Sequence, residues 1–250
     1  MVQTILCMKW GTRYGADYVN RLWSMIARHT ARPTRLVCYT DDAEGIDPAV
    51  EVQESLSIAL PEPIRWKPWR KLALWRETLP GAEGDVLFLD LDVVITGSLD
   101  PFFDYEPGRF CVIRNWTQDD GVGNTSCFRF RVGQAPHLFA RAEADGMALR
   151  RAYRNEQIFV TREIGVEPAF WPEEWCVSFK HTLLPRWPMN FVKAAPLPET
   201  ARVVVFTGKP DPDEARDGVW PAPWWKRTYK HVRPTPWIAE HWRGPDRGGA

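Results

Sequence analysis

Val86-Leu87-Phe88-Leu89-Asp90-Leu91-Asp92 is the segment on which the reading of this chain turns. Its four leading apolar residues form an unbroken row, the pattern of a strand buried on both faces. Two carboxylates are appended to its end. Side chains alternate along a strand, so Asp90 and Asp92 are expected to point one way and Leu91 the other. Like charges that close repel, and each is costly to desolvate unless a cation lies between them. An oxygen-only pair suits Mn²⁺ or Mg²⁺, with water and substrate phosphates completing the shell. A metal held this way neutralises a diphosphate and stabilises it as a leaving group. The plainer alternative is a pair of solvated strand-end aspartates.

Upstream, strands alternate with amphipathic helices. Thr4–Met8 reads as a buried strand, followed by a loop over Lys9–Gly15. Asp17 is the expected N-cap of a helix carrying Tyr18, Leu22, Met25 and Ile26 on one face. Arg35–Tyr39 is a second strand, ending at Thr40-Asp41-Asp42, and Val50–Ser55 a candidate third. Trp69–Leu79 sets Leu72, Trp75 and Leu79 at helical spacing before Pro80-Gly81 stops it. This alternation predicts an α/β fold, a mixed, mostly parallel sheet flanked by helices. Ligands in such sheets gather at the carboxyl ends of strands. The loops Lys9–Tyr14, Thr40–Asp42 and Asp90–Val93 are therefore the ones expected to meet.

Downstream, Arg109–Arg114 and Ser126–Arg131 read as strands, and Ala135–Leu149 and Tyr153–Thr161 as helices. Half of the 22 prolines lie from Pro185 onward. That excludes long helices there and predicts an extended wrap with one strand, Val203–Phe206. A single domain is expected over 1–243, in three parts: 1–100, 101–210 and a Pro/Trp-rich wrap (211–243). Residues 244–250 are expected to be a disordered tail.

Lys+Arg and Asp+Glu both number 32 in the 250 residues. With no net positive charge to displace counterions, nucleic acid is excluded as the main partner. No apolar run approaches the roughly 18–20 residues that span a bilayer, and Met1–Trp10 lacks the pattern of a secretory signal. A cytoplasmic protein is the expectation, with peripheral membrane contact left open. The five cysteines are scattered and never in a CxxC pair, which reads as buried free thiols.

The ordered block Lys71-Leu72, Trp75, Leu79, Val86 to Ile95, then Gly97-Ser98-Leu99-Asp100-Pro101-Phe102-Phe103 resembles the central block of the family-8 glycosyltransferases. That group contains glycogenin and the bacterial lipopolysaccharide galactosyl- and glucosyltransferases. The resemblance implies a GT-A fold and transfer of a hexose from a UDP-sugar donor, with retention of configuration, to a glycan, lipid-linked or small-molecule acceptor. It implies that Asp90 and Asp92 ligate Mn²⁺ and that Lys71 reaches the donor. Tyr14 would stack on the base, with Gly11 letting the backbone approach the nucleotide. Asp41, by its own place at the end of the second strand, would read base or ribose or else be a simple turn aspartate. Gly123 to Phe130 resembles the family's F-N-S/A-G-V segment, which carries a donor-sugar contact to Asn124, with Ser126 nearby. Asn155-Glu156-Gln157 resembles its D-Q pair at the reacting face, with Glu156 where Asp is usual.

One element departs from that pattern. The family closes its site with H-x-x-G-x-x-K; here Val205-Phe206-Thr207-Gly208-Lys209-Pro210-Asp211 keeps Gly208 and offers Lys209 for the diphosphate. Val205 stands where the metal-binding His is usual, so Asp211, His181, His231, His241 or water would have to complete the shell. The segment Trp220–Trp242 interleaves five Trp with Lys226, Arg227, Lys230, His231 and Arg233. It reads as an acceptor platform, a lid, an interfacial anchor, or simply aromatics pinning the tail. Two rival functions stay open. Asp90 to Ile95 also satisfies the nucleophile motif of haloacid-dehalogenase-like phosphatases, with Asp90 attacking phosphate. A non-catalytic nucleotide-sugar-binding module is the other.

Overall fold

The computed structural model describes residues 2–117 and 121–245. Seven strands form the main sheet: β1 (Gln3–Lys9), β2 (Thr34–Thr40), β3 (Glu51–Glu54), β4 (Asp85–Leu89), β6 (Cys111–Arg114), β7 (Gly123–Arg131) and β8 (Ala169–Phe170). Their spatial order is β3-β2-β1-β4-β7-β6-β8. The first four run parallel, β7 is antiparallel to both β4 and β6, and β8 is parallel to β6. The expected mixed, mostly parallel sheet is what forms. A second sheet of three strands, β5 (Val93–Ile95), β10 (Val203–Val205) and β9 (Cys176–Ser178), carries β10 in its middle.

Strand parity sorts the core into two layers. Ile5, Cys7, Leu87 and Leu89 face α1 (Ala16–Arg28), the small sheet and the C-terminal segment. Leu6, Met8, Val86 and Phe88 face the other way, onto a short helical turn at Pro68–Trp75 and onto α4 (Pro136–Ala152) and α5 (Glu156–Glu163). Every residue of β1 is buried, as a central parallel strand covered on both faces must be. Short helices α2 (Glu62–Arg65) and α3 (Asp100–Asp104) cap loops, while α6 (Pro212–Asp217) and α7 (Pro236–His241) lie in the Pro-rich segment.

Several boundaries differ from the sequence expectation. The first helix is capped by Gly15, and Asp17 sits inside its first turn, where a carboxylate still favours the positive end of the helix. The stretch expected as a helix over Trp69–Leu79 is a 3₁₀ turn ending at Trp75. Arg76 is already extended, and Leu79 bridges Ala82. All seven residues Trp69–Trp75 are buried, and the threefold repeat stacks Trp69, Leu72 and Trp75 on one line. β7 begins at Gly123, three residues before the strand start expected at Ser126, so Asn124 is a strand residue. The last helix of that half runs over Glu156–Glu163, with Asn155 as its cap. Of the expected tail, residues 246–250 lie outside the described residues. All five cysteines are free and buried.

Trp75 ties the 3₁₀ turn to the sheet by stacking among Phe110, Phe128 and Phe130, with centroids 5.7, 5.9 and 4.9 Å away. Trp75→Ala is expected to cost about 3–5 kcal/mol. Urea denaturation reads this as a lower midpoint at unchanged slope.

Candidate active site

The carboxyl ends of β1 and β4 open into a cavity of about 720 Å³. Gly11, Tyr14, Lys71, Asp90 and Asp92 line it from the first half of the chain. Asn124, Glu156, Gln157 and Gly208 line it from the second. Asp41 stands behind this wall: its Oδ2 accepts the Gly11 N–H at 3.0 Å. Gly11 has φ +60°, a left-handed conformation that L side chains adopt only under strain. Asp41 thus holds the loop after β1 in its turn. Lys209 is not among the lining residues, because its ammonium is held by Asp211 and Glu214.

Asp90 and Asp92 reach the cavity differently from the simple alternation expected. Asp90 extends the β4–β7 ladder by one rung, donating its N–H to the Ser126 carbonyl at 2.9 Å. Leu91 and Asp92 then form a turn, because the chain must leave the main sheet to start β5 in the small one. Asp90 therefore falls on the side of Val86 and Phe88, over the 3₁₀ turn. Lys71 Nζ sits 3.3 Å from each of its carboxylate oxygens. The same ammonium donates to the Thr125 carbonyl at 3.0 Å and lies 3.5 Å from Glu156 Oε1. Thr125 Oγ1 in turn donates to Glu156 Oε1 at 3.0 Å. Burial pulls the Lys71 ammonium down, but Asp90 and Glu156 outweigh it and hold it charged. Its side chain is only 6% exposed, so Lys71 serves Asp90 and Glu156 and does not project freely into the cavity.

Glu156 opens α5, where Asn155 Oδ1 accepts the Ile158 N–H at 3.0 Å. A carboxylate in the first turn also meets the positive helix end. Gln157 follows it on the cavity wall. Asn124 Oδ1 accepts the Ser126 N–H at 3.0 Å, which fixes its amide orientation.

Asp92 has no lysine. Tyr14 Oη donates to its Oδ2 at 2.8 Å, and the Tyr14 ring packs on Tyr18. Burial and the charge of Asp90 raise the Asp92 carboxyl to about 7; the Tyr14 hydrogen bond opposes them, Asp211 adds a smaller push upward and Arg13 a smaller one downward. Burial and Asp92 also push the Tyr14 hydroxyl up. Arg13 bonds Asp211 Oδ1 at 3.2 Å and lies over the Tyr14 ring. The negative charge at Asp92 is thus only partly balanced.

Val205 cannot ligate a cation, and it is wholly buried as the β10 partner of Val93. That pairing carries Phe206, Thr207 and Gly208 across the mouth beside Asp92. Of the residues considered for the empty ligand position, Asp211 lies close enough to Asp92 to influence its charge. The three histidines are engaged elsewhere: His231 stacks on Phe191, His241 on His29, and His181 lines a different cavity. Among the described residues no set of three His, Cys, Asp or Glu is disposed to hold a metal ion. The chemistry of the donor set still fits Mn²⁺ or Mg²⁺, which bind through one or two carboxylates plus phosphates and water. Sequence reasoning passed over Trp10, Arg13 and Trp66, which also line the cavity. Arg13 sits in a loop already singled out. Trp66 comes from a segment with no pattern to flag it.

No family model and no curated protein matches this chain. Solved structures do. The galactosyltransferase LgtC, in complex with donor and acceptor sugar analogs, superposes with a TM-score of 0.60 at 11% identity, covering 84% of this chain and 89% of that one. The bifunctional glycosyltransferase WbbM gives 0.55 at 13% identity, over 84% of this chain and 46% of its own. The glycosyltransferase GlyE of Streptococcus pneumoniae TIGR4 gives 0.53 at 10% identity, over 84% and 56%. The chain therefore has the GT-A fold of these glycosyltransferases.

The Asp92 environment makes a testable demand. Its folded value lies above that of an unfolded carboxylate, so the metal-free fold keeps a proton the unfolded chain has released. Its contribution to stability is greatest in acid and is lost as pH rises through about 7. In EDTA, thermal melts should fall between about pH 5 and 8, and Asp92→Asn should flatten that slope. An unchanged slope in the variant would show that Asp92 is not the group under strain.

Proposed function

We propose that this protein transfers a hexose from a nucleoside-diphosphate sugar, a UDP-sugar by resemblance, to an acceptor hydroxyl. The observation that carries this reading is the convergence of Asp90, Asp92, Asn124, Glu156 and Gln157 on one cavity at the strand ends of a GT-A fold.

In this reading the loop after β1 takes the nucleotide. Gly11 lets the backbone pass close to it, and Trp10 and Trp66 offer flat faces to the base. Tyr14, with its hydroxyl turned to Asp92, orients that carboxylate instead of reaching outward. Asp90 and Asp92 would hold Mn²⁺ or Mg²⁺. When bound, the cation supplies charge neutralisation of the diphosphate as it departs. Lys71 holds the carboxylates of Asp90 and Glu156 in place through its ammonium. Arg13, whose side chain is 58% exposed, stands at the rim to meet phosphate oxygens. Asn124 and Gln157 position the donor sugar, with Glu156 behind the reacting face. The acceptor hydroxyl then attacks the anomeric carbon, and its proton leaves with a departing phosphate oxygen.

A phosphatase with Asp90 as nucleophile is disfavoured. Both oxygens of Asp90 face Lys71, and the fold shared with glycosyltransferases is not that of the haloacid dehalogenases. Turnover separates transfer from binding alone, and the experiment therefore includes it.

Titration calorimetry of UDP, GDP and dTDP with and without Mn²⁺ is expected to show metal-dependent binding of one nucleotide, lost in Asp92→Asn. Below about pH 7 the apparent Mn²⁺ affinity should rise up to about tenfold per pH unit, because one proton must leave Asp92. Glu156→Gln is expected to lower turnover by about tenfold or more with nucleotide affinity little changed. Nucleotide binding that ignores both metal and Asp92 would overturn the reading.

A further inference from the structure

A second cavity of about 510 Å³ lies beside the first. Lys180, Arg186 and Lys230 line it together with His181, and no Asp or Glu does. Among the described residues, none of these cations forms an ion pair. Lys180 instead donates to the Thr207 carbonyl at 2.7 Å, and Lys230 lies 5.8 Å from the Trp220 ring centroid. Such concentrated like charge is unfavourable without a counter-ion. Its cost is visible in Lys180, whose ammonium is pulled down by burial and by Lys230, and in His181, pulled down by burial and by Lys180.

Two further groups on this wall lack partners. Asn190 is 2% exposed and donates its Nδ2 to the carbonyls of Tyr229 and His231, at 3.0 and 2.9 Å, leaving Oδ1 with nothing to accept. The buried Trp220 Nε1 likewise donates to nothing. A buried donor or acceptor left unpaired is costly, and a ligand that pairs it removes that cost. An indole N–H and an amide oxygen beside three cations make a site for a ligand that carries both an oxyanion and hydroxyls. At the mouth, Trp187 and Tyr229 stand exposed, flat apolar faces of the kind that pack on the C–H surface of a sugar ring.

The position gives this site its role. Thr207, whose carbonyl holds Lys180, lines the first cavity, as does Gly208. At Gly208 (φ +70°) an added Cβ would lie 4.0 Å from Lys180 Nζ. The two cavities therefore share the wall formed by the chain after β10. We propose that the second cavity binds the acceptor through a phosphate group, so that the substrate class is a phosphate-bearing saccharide. Lys180, Arg186 and Lys230 meet the phosphate, and Asn190 and Trp220 meet sugar hydroxyls. This rests on the transferase reading, but the phosphate site is independent of the carboxylate pair. The phosphate can be that of a free sugar phosphate or one esterified to a lipid; the chemistry recognised is the same.

The test titrates a hexose 1-phosphate, the same hexose without phosphate, and a short prenyl phosphate in neutral micelles into the full chain, following Trp fluorescence and calorimetry. Arg186→Ala/Lys230→Ala is expected to weaken the phosphate ligands by about tenfold or more, the loss of charge-assisted hydrogen bonds. Arg186→Lys/Lys230→Arg should recover most of the affinity. The unphosphorylated hexose should bind far more weakly to the wild type. Tighter binding of the soluble or the micellar ligand, each lost in the Ala pair, identifies which source the site serves. Asp92→Asn separates the two readings: it should lose metal-dependent UDP binding and keep the phosphate ligand. Equal affinity in wild type and the Ala pair, or no phosphate binding by the wild type, overturns the proposal even if UDP binds as expected.

Discussion

A buried ammonium needs carboxylates, and buried carboxylates need an ammonium; around Lys71 this mutual requirement joins four separate parts of the chain. The lysine comes from the 3₁₀ turn, Asp90 from the end of β4, Thr125 from β7 and Glu156 from the start of α5. Neither Lys71 nor Glu156 would be tolerated alone at such depth, because an unpaired buried ion costs several kcal/mol. Together they fix the height at which α5 meets the sheet and therefore where Gln157 and Asn124 face the cavity. The aromatic packing of Trp75 on β6 and β7 supports the same turn from beneath.

Asp92 is the counterpoint. Only two residues away, it leaves the sheet in a turn and finds a tyrosine hydroxyl where Asp90 finds a cation. Asp211 adds negative charge nearby, and Arg13 offsets part of it. One carboxylate is thus paired with a lysine by the protein and the other is left short of positive charge. A pair divided in this way is suited to share an exchangeable cation. The shortage at Asp92 is met only when something arrives, and the Lys71 network stays in place throughout.

The segment after β9 has divided duties. Trp242 is buried against Tyr18 and Arg21, and Trp237 donates to the Ala195 carbonyl, so these two fasten the wrap to the core. Trp224 and Trp225 are exposed, while Trp220 turns inward to the second cavity. The prolines that exclude long helices leave short turns, and these carry cations to one side of the site without adding carboxylates to it. Among the described residues no helix is long and apolar enough to cross a membrane.

The buried strands, the mostly parallel sheet and the carboxylates at a strand end were legible in the residues themselves. Continuous apolar runs and helix-period stripes are local signals, and strand ends follow from where those runs stop. Lys71, Asp90, Asp92, Asn124, Glu156 and Gln157 were likewise named from short segments of chain. Their division of labour was not legible, since it depends on distances between residues up to 85 positions apart in the sequence (Lys71 and Glu156). That Lys71 is spent on carboxylates, that Tyr14 caps Asp92, and that Val205 is a sheet residue are all consequences of tertiary pairing. The 3₁₀ turn escaped because its Trp69-Leu72-Trp75 row satisfies helical and threefold spacing alike, and only burial on every side decides between them. The second cavity has no sequence signature at all. Its cations lie on two segments 44 to 50 residues apart (Lys180 and Arg186 against Lys230), each unremarkable alone, and only folding removes the carboxylates from their surroundings.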